Sequence, residues 1–142
     1  MLSWLKQFLA KFAFLRKYVS WACSNEALWK GYRGERIAAR YLRRQAYKIV
    51  ERNWRHGRCE IDIIARDRDC LVFVEVRSRQ KTQLCSAYDS VDHRKKQNLR
   101  CGIYAYLREH RVHAFRMDIV AIDWIEGTRD YELHHYENVS IR

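Results

Sequence analysis

The chain predicts an α/β fold, a mixed sheet flanked by helices, and three observations predict it. Segments with apolar residues at three- and four-residue steps are followed by short runs in which apolar residues recur at every second position. The short runs are rich in Val and Ile and are separated by polar turns. Their order, helix then three strands then helix then strand, belongs to one layered domain, unbroken by any proline or repeat. With 48% hydrophobic and 13% aromatic residues, the 142-residue chain has material for one core and is not a disordered tail.

Taken in order, residues 1–22 place Leu5, Leu9, Phe12, Leu15, Val19 and Ala22 on one face of a helix, with Lys6, Lys11 and Lys17 elsewhere. Lys6, Lys11, Arg16 and Lys17 interrupt every apolar run short of the roughly 20 residues that cross a bilayer, and short of a secretory signal. This basic amphipathic extension, residues 1–30, has three candidate partners: the rest of the protein or a second copy, an anionic membrane surface, and nucleic acid. The domain proper is expected over 31–142. A helix is predicted from Trp29 to Gln45, with Ile37, Ala38, Tyr41 and Leu42 inward and Arg36, Arg40, Arg43 and Arg44 outward. Strands follow at Tyr47–Trp54, Glu60–Arg66 and Leu71–Arg77, then a polar loop at Ser78–Ser86. A long helix over Val91–His110 turns Leu99, Ile103, Tyr106 and Leu107 inward, and strands end the chain at Ala114–Asp123 and Tyr131–Tyr136.

The net charge of +11 lies wholly in one part of the chain. Residues 1–58 hold 14 Lys and Arg against three acids, Glu26, Glu35 and Glu51, whereas residues 59–142 are neutral. A basic surface beside an acidic segment suits a protein that grips a polyanion, although solvated basic helices would look the same. The five cysteines stand at irregular spacings without a CxxC pair, and no HxxxH or HExxH occurs, which argues against zinc. They read as reduced thiols of a cytoplasmic protein.

The central hairpin carries the chemistry. In 60-EIDIIAR-66, alternation sets Ile61, Ile63 and Ala65 on one face and Glu60, Asp62 and Ile64 on the other. In 71-LVFVEVR-77, Phe73, Glu75 and Arg77 share a face. A turn centred in 67-DRDC-70 sets Asp62 opposite Glu75 and Glu60 opposite Arg77. Two opposed carboxylates on a half-buried face repel unless a cation lies between them, and hard oxygen ligands suit Mg²⁺ or Mn²⁺. The alternative is a hydrated sheet face on which Glu60 and Arg77 pair. A one-residue bulge would change the register.

The succession Glu35-x-x-Ala38, Tyr41-Leu42, Asn53, Glu60-Ile61-Asp62-x-Ile64-Ala65, Val72-Phe73-Val74-Glu75-Val76-Arg77-x-Arg79, Val91, Lys95, Leu99 and Arg116-x-Asp118-Ile119-Val120 resembles the YraN-like family of bacterial proteins. The resemblance runs from about Gly31 to near the end. That family looks like a branch of the PD-(D/E)xK endonucleases, close to Holliday-junction resolvases. The resemblance implies a restriction-endonuclease-like core sheet carrying a metal site, with DNA as substrate.

By that resemblance Glu35, Asp62 and Glu75 are the metal ligands, for Mg²⁺ or Mn²⁺, and together with Arg77 form the catalytic set. Arg77 stands where the wider superfamily has lysine; a guanidinium stays protonated, so it can hold phosphate but cannot act as a base. Cys59 stands where relatives usually carry Gly. Lys95 matches a family position and is expected either to replace the missing lysine or to contact a phosphate; a solvated helix face is the alternative. Arg40, Arg44 and Arg79 complete the expected nucleic-acid contacts. Asp118 reads as a structural hydrogen-bonding residue. The function expected is a metal-dependent endonuclease acting on DNA, branched DNA included. The alternative is a nucleic-acid-binding protein that keeps the nuclease fold without useful catalysis.

Overall fold

The computed structural model describes residues 26–80 and 93–140. The amphipathic segment 1–22 and most of the expected loop at 78–86 lie outside them. Helix α1 spans Glu26–Arg44, strands β1 to β3 span Lys48–His56, Cys59–Asp67 and Cys70–Gln80, helix α2 spans His93–Glu109, and β4 and β5 span Ala114–Trp124 and Tyr131–Tyr136. The strands form one sheet in the order β1-β2-β3-β4-β5. All neighbouring pairs are antiparallel except β3 and β4, which run parallel. A parallel pair cannot be joined by a tight turn, and α2 lies in the connection. The α/β class and the mixed sheet are as expected from the sequence.

Each helix covers one face. Ala38, Ala39 and Leu42 of α1 pack on Ile63, Ala65, Val72, Val74, Val120 and Ile122. Leu99, Ile103 and Tyr106 of α2 pack on Trp54, Ile61, Ile64, Phe73 and Ile119 of the opposite face. Small residues allow the close approach. A Cβ on Gly34 of α1 would stand 2.6 Å from the Cβ of Ser78, and one on Gly102 of α2 would stand 3.1 Å from Ile61. Cys59 is accommodated beside Gly102, buried, with Cys101 as hydrogen-bond neighbour.

Five details depart from the expected pattern. The β2–β3 register is the expected one from Asp67↔Cys70 to Ile63↔Val74, but the ladder stops there, so Asp62 and Glu75 are not a bonded pair. Ile61 faces α2 while Ile63 and Ala65 face α1, so the chain twists at Asp62 and the three do not share a face. Glu60 lies opposite Arg55 of β1, not Arg77, and bonds it at 2.8 Å on an exposed edge. A left-handed backbone at Asn53 (φ 53°) interrupts β1 opposite Asp62, and a bulge between Ile49 and Glu51 shifts the register farther along, beside Ile64 and Ala65. Finally, β3 continues through Ser78 to Gln80, where a loop was expected. Its extension is held by β4 in register and by Ser78, whose hydroxyl donates to the Lys30 carbonyl and accepts from Trp124 Nε1, both at 2.8 Å.

Candidate functional site

Where β2 and β3 part, they open a cavity of about 280 Å³ lined by Gly31 and Glu35 of α1, Asp62 of β2, Glu75 to Arg79 of β3, and Lys95 of α2. Each element contributes for a local reason. Gly34 lets α1 lie against Ser78, which carries Glu35 to the cavity wall. Alternation along β3 turns Glu75, like Phe73, toward the α2 side, where Lys95 meets it. Asp62 lies in the fork itself, and its Oδ2 accepts the Val76 N–H at 2.8 Å in place of a strand rung.

Glu75 is 1% exposed, and neither of its oxygens has a hydrogen bond of good geometry. Two cations approach the same oxygen instead: Lys95 Nζ at 3.1 Å and Arg77 Nε at 3.3 Å from Oε1. Burial, with repulsion from Asp62 added, pushes the Glu75 carboxyl up to about 8 despite those two cations. Burial likewise raises Asp62, against the Val76 N–H and the charge of Lys95. Glu35 is pushed up to about 7 by burial and by Asp62, partly offset by a hydrogen bond from Asn53 and by Arg52, whose guanidinium lies 3.8 Å away. Three carboxylates thus share one small volume at a cost in ionisation.

Six of the residues expected from the sequence, Glu35, Asp62, Glu75, Arg77, Arg79 and Lys95, line this one cavity. Arg40 and Arg44 do not. They are exposed on α1, Arg44 about 13 Å along the helix axis beyond Glu35. Asp118 is buried in a separate cluster, bonded to Arg116 Nε (3.0 Å), to His135 Nε2 (3.1 Å) and to the Asn138 N–H (2.9 Å). Its burial would raise the carboxyl, but the bonds from His135 and Arg116 outweigh it and hold the group below the usual range. Arg52, Ser78 and Gly34 had no expected role. The polar Arg52 sits in a strand run where nothing marks it out, Ser78 in a stretch expected to be a loop, and the glycine inside a helix, where only a close packing partner explains it.

The donor set suits a hard divalent cation, because it is made of carboxylate oxygens and includes a buried carboxylate, Glu75, whose Oε2 has no hydrogen bond. Among the described residues, however, no three His, Cys, Asp or Glu side chains close around a point as they stand. Asp62 and Glu75 would hold such an ion, with Glu35 facing them across the cavity.

The profile of the uncharacterised protein family UPF0102 matches residues 34–122. The chain belongs to that family. Similar UPF0102 proteins include one from Carboxydothermus hydrogenoformans, 34% identical over 111 residues, which are 77% of this chain and 92% of the relative. One from Trichlorobacter lovleyi is 38% identical over 107 residues, 73% and 83% of the two chains. One from Pseudomonas aeruginosa is 35% identical over 112 residues, 77% and 90%. The UPF0102 match begins at Gly34 and ends at Ile122, so it takes in every cavity residue except Gly31, and it leaves out the basic amino-terminal segment. No helix of the described residues is long and apolar enough to cross a membrane.

Proposed function

We propose that this UPF0102 protein is a metal-dependent endonuclease that hydrolyses phosphodiester bonds in DNA, with Mg²⁺ or Mn²⁺ held by Asp62 and Glu75 and approached by Glu35. The observation that carries the reading is Glu75, buried, with Oε2 unbonded and Oε1 met only by Lys95 and Arg77, in a cavity it shares with two acids and three basic side chains. Opposite charges divided within one cavity suit a substrate whose phosphate is anionic and whose cleavage needs a cation. A bound divalent ion would supply charge neutralisation and a water acidified for attack. The remaining work falls to the chain. Arg77, Arg79 and Lys95 grip the phosphate and stabilise its developing charge, which requires no base from Arg77. Glu35, pushed up to about 7 by burial and by Asp62 in the metal-free molecule, would give up its proton as a cation enters beside it. Arg40 and Arg44 extend the basic track along α1 away from the reacting centre.

One observation favours a second reading, a DNA-binding protein without cleavage: Arg77 and Lys95 already hold Glu75, so the fold stands without a metal. A panel of linear, flapped and four-way branched DNA, incubated with Mn²⁺, with Mg²⁺ or with chelator, tests both readings. The endonuclease cleaves at least one substrate, loses that cleavage in chelator, and loses it as Glu75→Gln. Binding without cleavage on every substrate, unchanged in chelator, would overturn the enzyme and leave the binder. Cytoplasmic DNA is the proposed setting, and residues 1–22 are proposed to contact a second copy or an anionic membrane surface.

A further inference from the structure

Lys95 stands in the first turn of α2, which carries no acidic side chain. A cation there gains nothing from the helix dipole, and Arg94 and Lys96 share the turn, so what sets Lys95 apart is its reach to a buried acid. That acid is Glu75, 3.1 Å away and 1% exposed. Arg77 approaches the same oxygen, but from two residues along the same strand and with a planar head, so it is tethered in place. Lysine is the movable partner. It has a compact ammonium on a flexible four-carbon stem, and the side chain, which lines the cavity, is a third exposed.

We propose that Lys95 is a built-in stand-in for the metal: its ammonium occupies Glu75 Oε1 in the metal-free chain, pairing with the carboxylate once it has lost its proton, and must leave Glu75 before Asp62 and Glu75 can hold a divalent cation. The released ammonium then faces the cavity with Arg77 and Arg79, where a phosphate would lie. The exchange accounts for why the acids do not close around a point as they stand, and why a buried carboxylate is tolerated with one oxygen unbonded. It rests on the reading that these carboxylates take a divalent ion.

The test is a calorimetric titration of Mn²⁺ into the full-length protein, Lys95→Met and Lys95→Arg, with melting of each in chelator. Removing the competing charge should tighten Mn²⁺ binding by about tenfold or more in Lys95→Met, and the same variant should melt lower in chelator because Glu75 has lost its partner. Lys95→Arg should bind no tighter than the parent. Should Lys95→Met not fold, Lys95→Gln makes the same comparison. Binding by the parent with equal or weaker binding by the uncharged variant overturns the exchange and leaves the metal reading standing. Binding by neither protein overturns both.

Discussion

The Val76 N–H donates to Asp62 Oδ2 at 2.8 Å, immediately beyond Ile63↔Val74, the last rung between β2 and β3. A side chain thus takes up the backbone donor freed when the strands part, and in doing so it pins a carboxylate at the head of the fork.

Asp62→Asn and Asp62→Ala should therefore separate charge from support. The amide can still accept from Val76 and removes the repulsion on Glu75 and Glu35, so melting in chelator should be unchanged or higher. Alanine leaves the N–H without its acceptor and should cost about 1–3 kcal/mol. Both should abolish Mn²⁺-induced stabilisation, measured by thermal melting. Equal Mn²⁺ stabilisation of parent and variants would move the metal elsewhere.

A pH dependence follows from Glu35 and Glu75, raised to about 7 and about 8. Their folded values lie above the unfolded ones near 4.5, so the folded state binds more protons between them. Stability of the metal-free protein should be full below about pH 4.5 as far as these two groups are concerned, and should be lost as pH rises through 7 and 8. Glu75→Gln should flatten that fall. Mn²⁺ affinity should rise over the same window as protons are displaced. A melting temperature that climbs steadily from pH 5 to 8, unaltered in Glu75→Gln, would contradict this.

Gly34→Ala puts a methyl 2.6 Å from the Ser78 Cβ, backbone-anchored on both sides. The overpacking should cost about 1–3 kcal/mol. It should also push α1 off β3, carrying Glu35 outward and weakening any metal response. A neutral melting temperature would mean that the helix can slide at no cost.

Exposed Arg40 and Arg44 lie outside the cavity lining, so they should act on affinity alone. DNA binding should weaken steeply with salt through counterion release, and the double alanine variant should flatten that slope while Mn²⁺ binding stays as in the parent. Binding insensitive to salt would remove the polyanion argument.

The strand and helix order was legible because Val- and Ile-rich alternation and three-to-four spacing are local signals, and β5 is found at its expected limits. The partnership of Asp62 and Glu75 was legible as nearness. Its form was not, since a ladder that ends one residue early and a strand that twists at Asp62 leave no mark in alternation. Glu60 went astray for the same reason: Arg55, five residues upstream across a two-residue turn, is a nearer partner than Arg77 once the fork opens. Lys95 could be singled out in the sequence, but that it shares one oxygen of Glu75 with Arg77 depends on where the α2 crossover lands.

The parallel pairing of β3 with β4 also bears on how the chain folds. The β1–β2–β3 meander closes through turns at residues 57–58 and 68–69, whereas β4 reaches β3 only after residues 81–113. Short loops lose less entropy on closing than long ones, so the meander is the low-contact-order part of the sheet. On refolding, amides of β1 to β3 should gain protection from hydrogen exchange before those of β4. The two acids of the fork would then be brought together early, with their mutual repulsion unrelieved until α2 docks and brings Lys95 to Glu75.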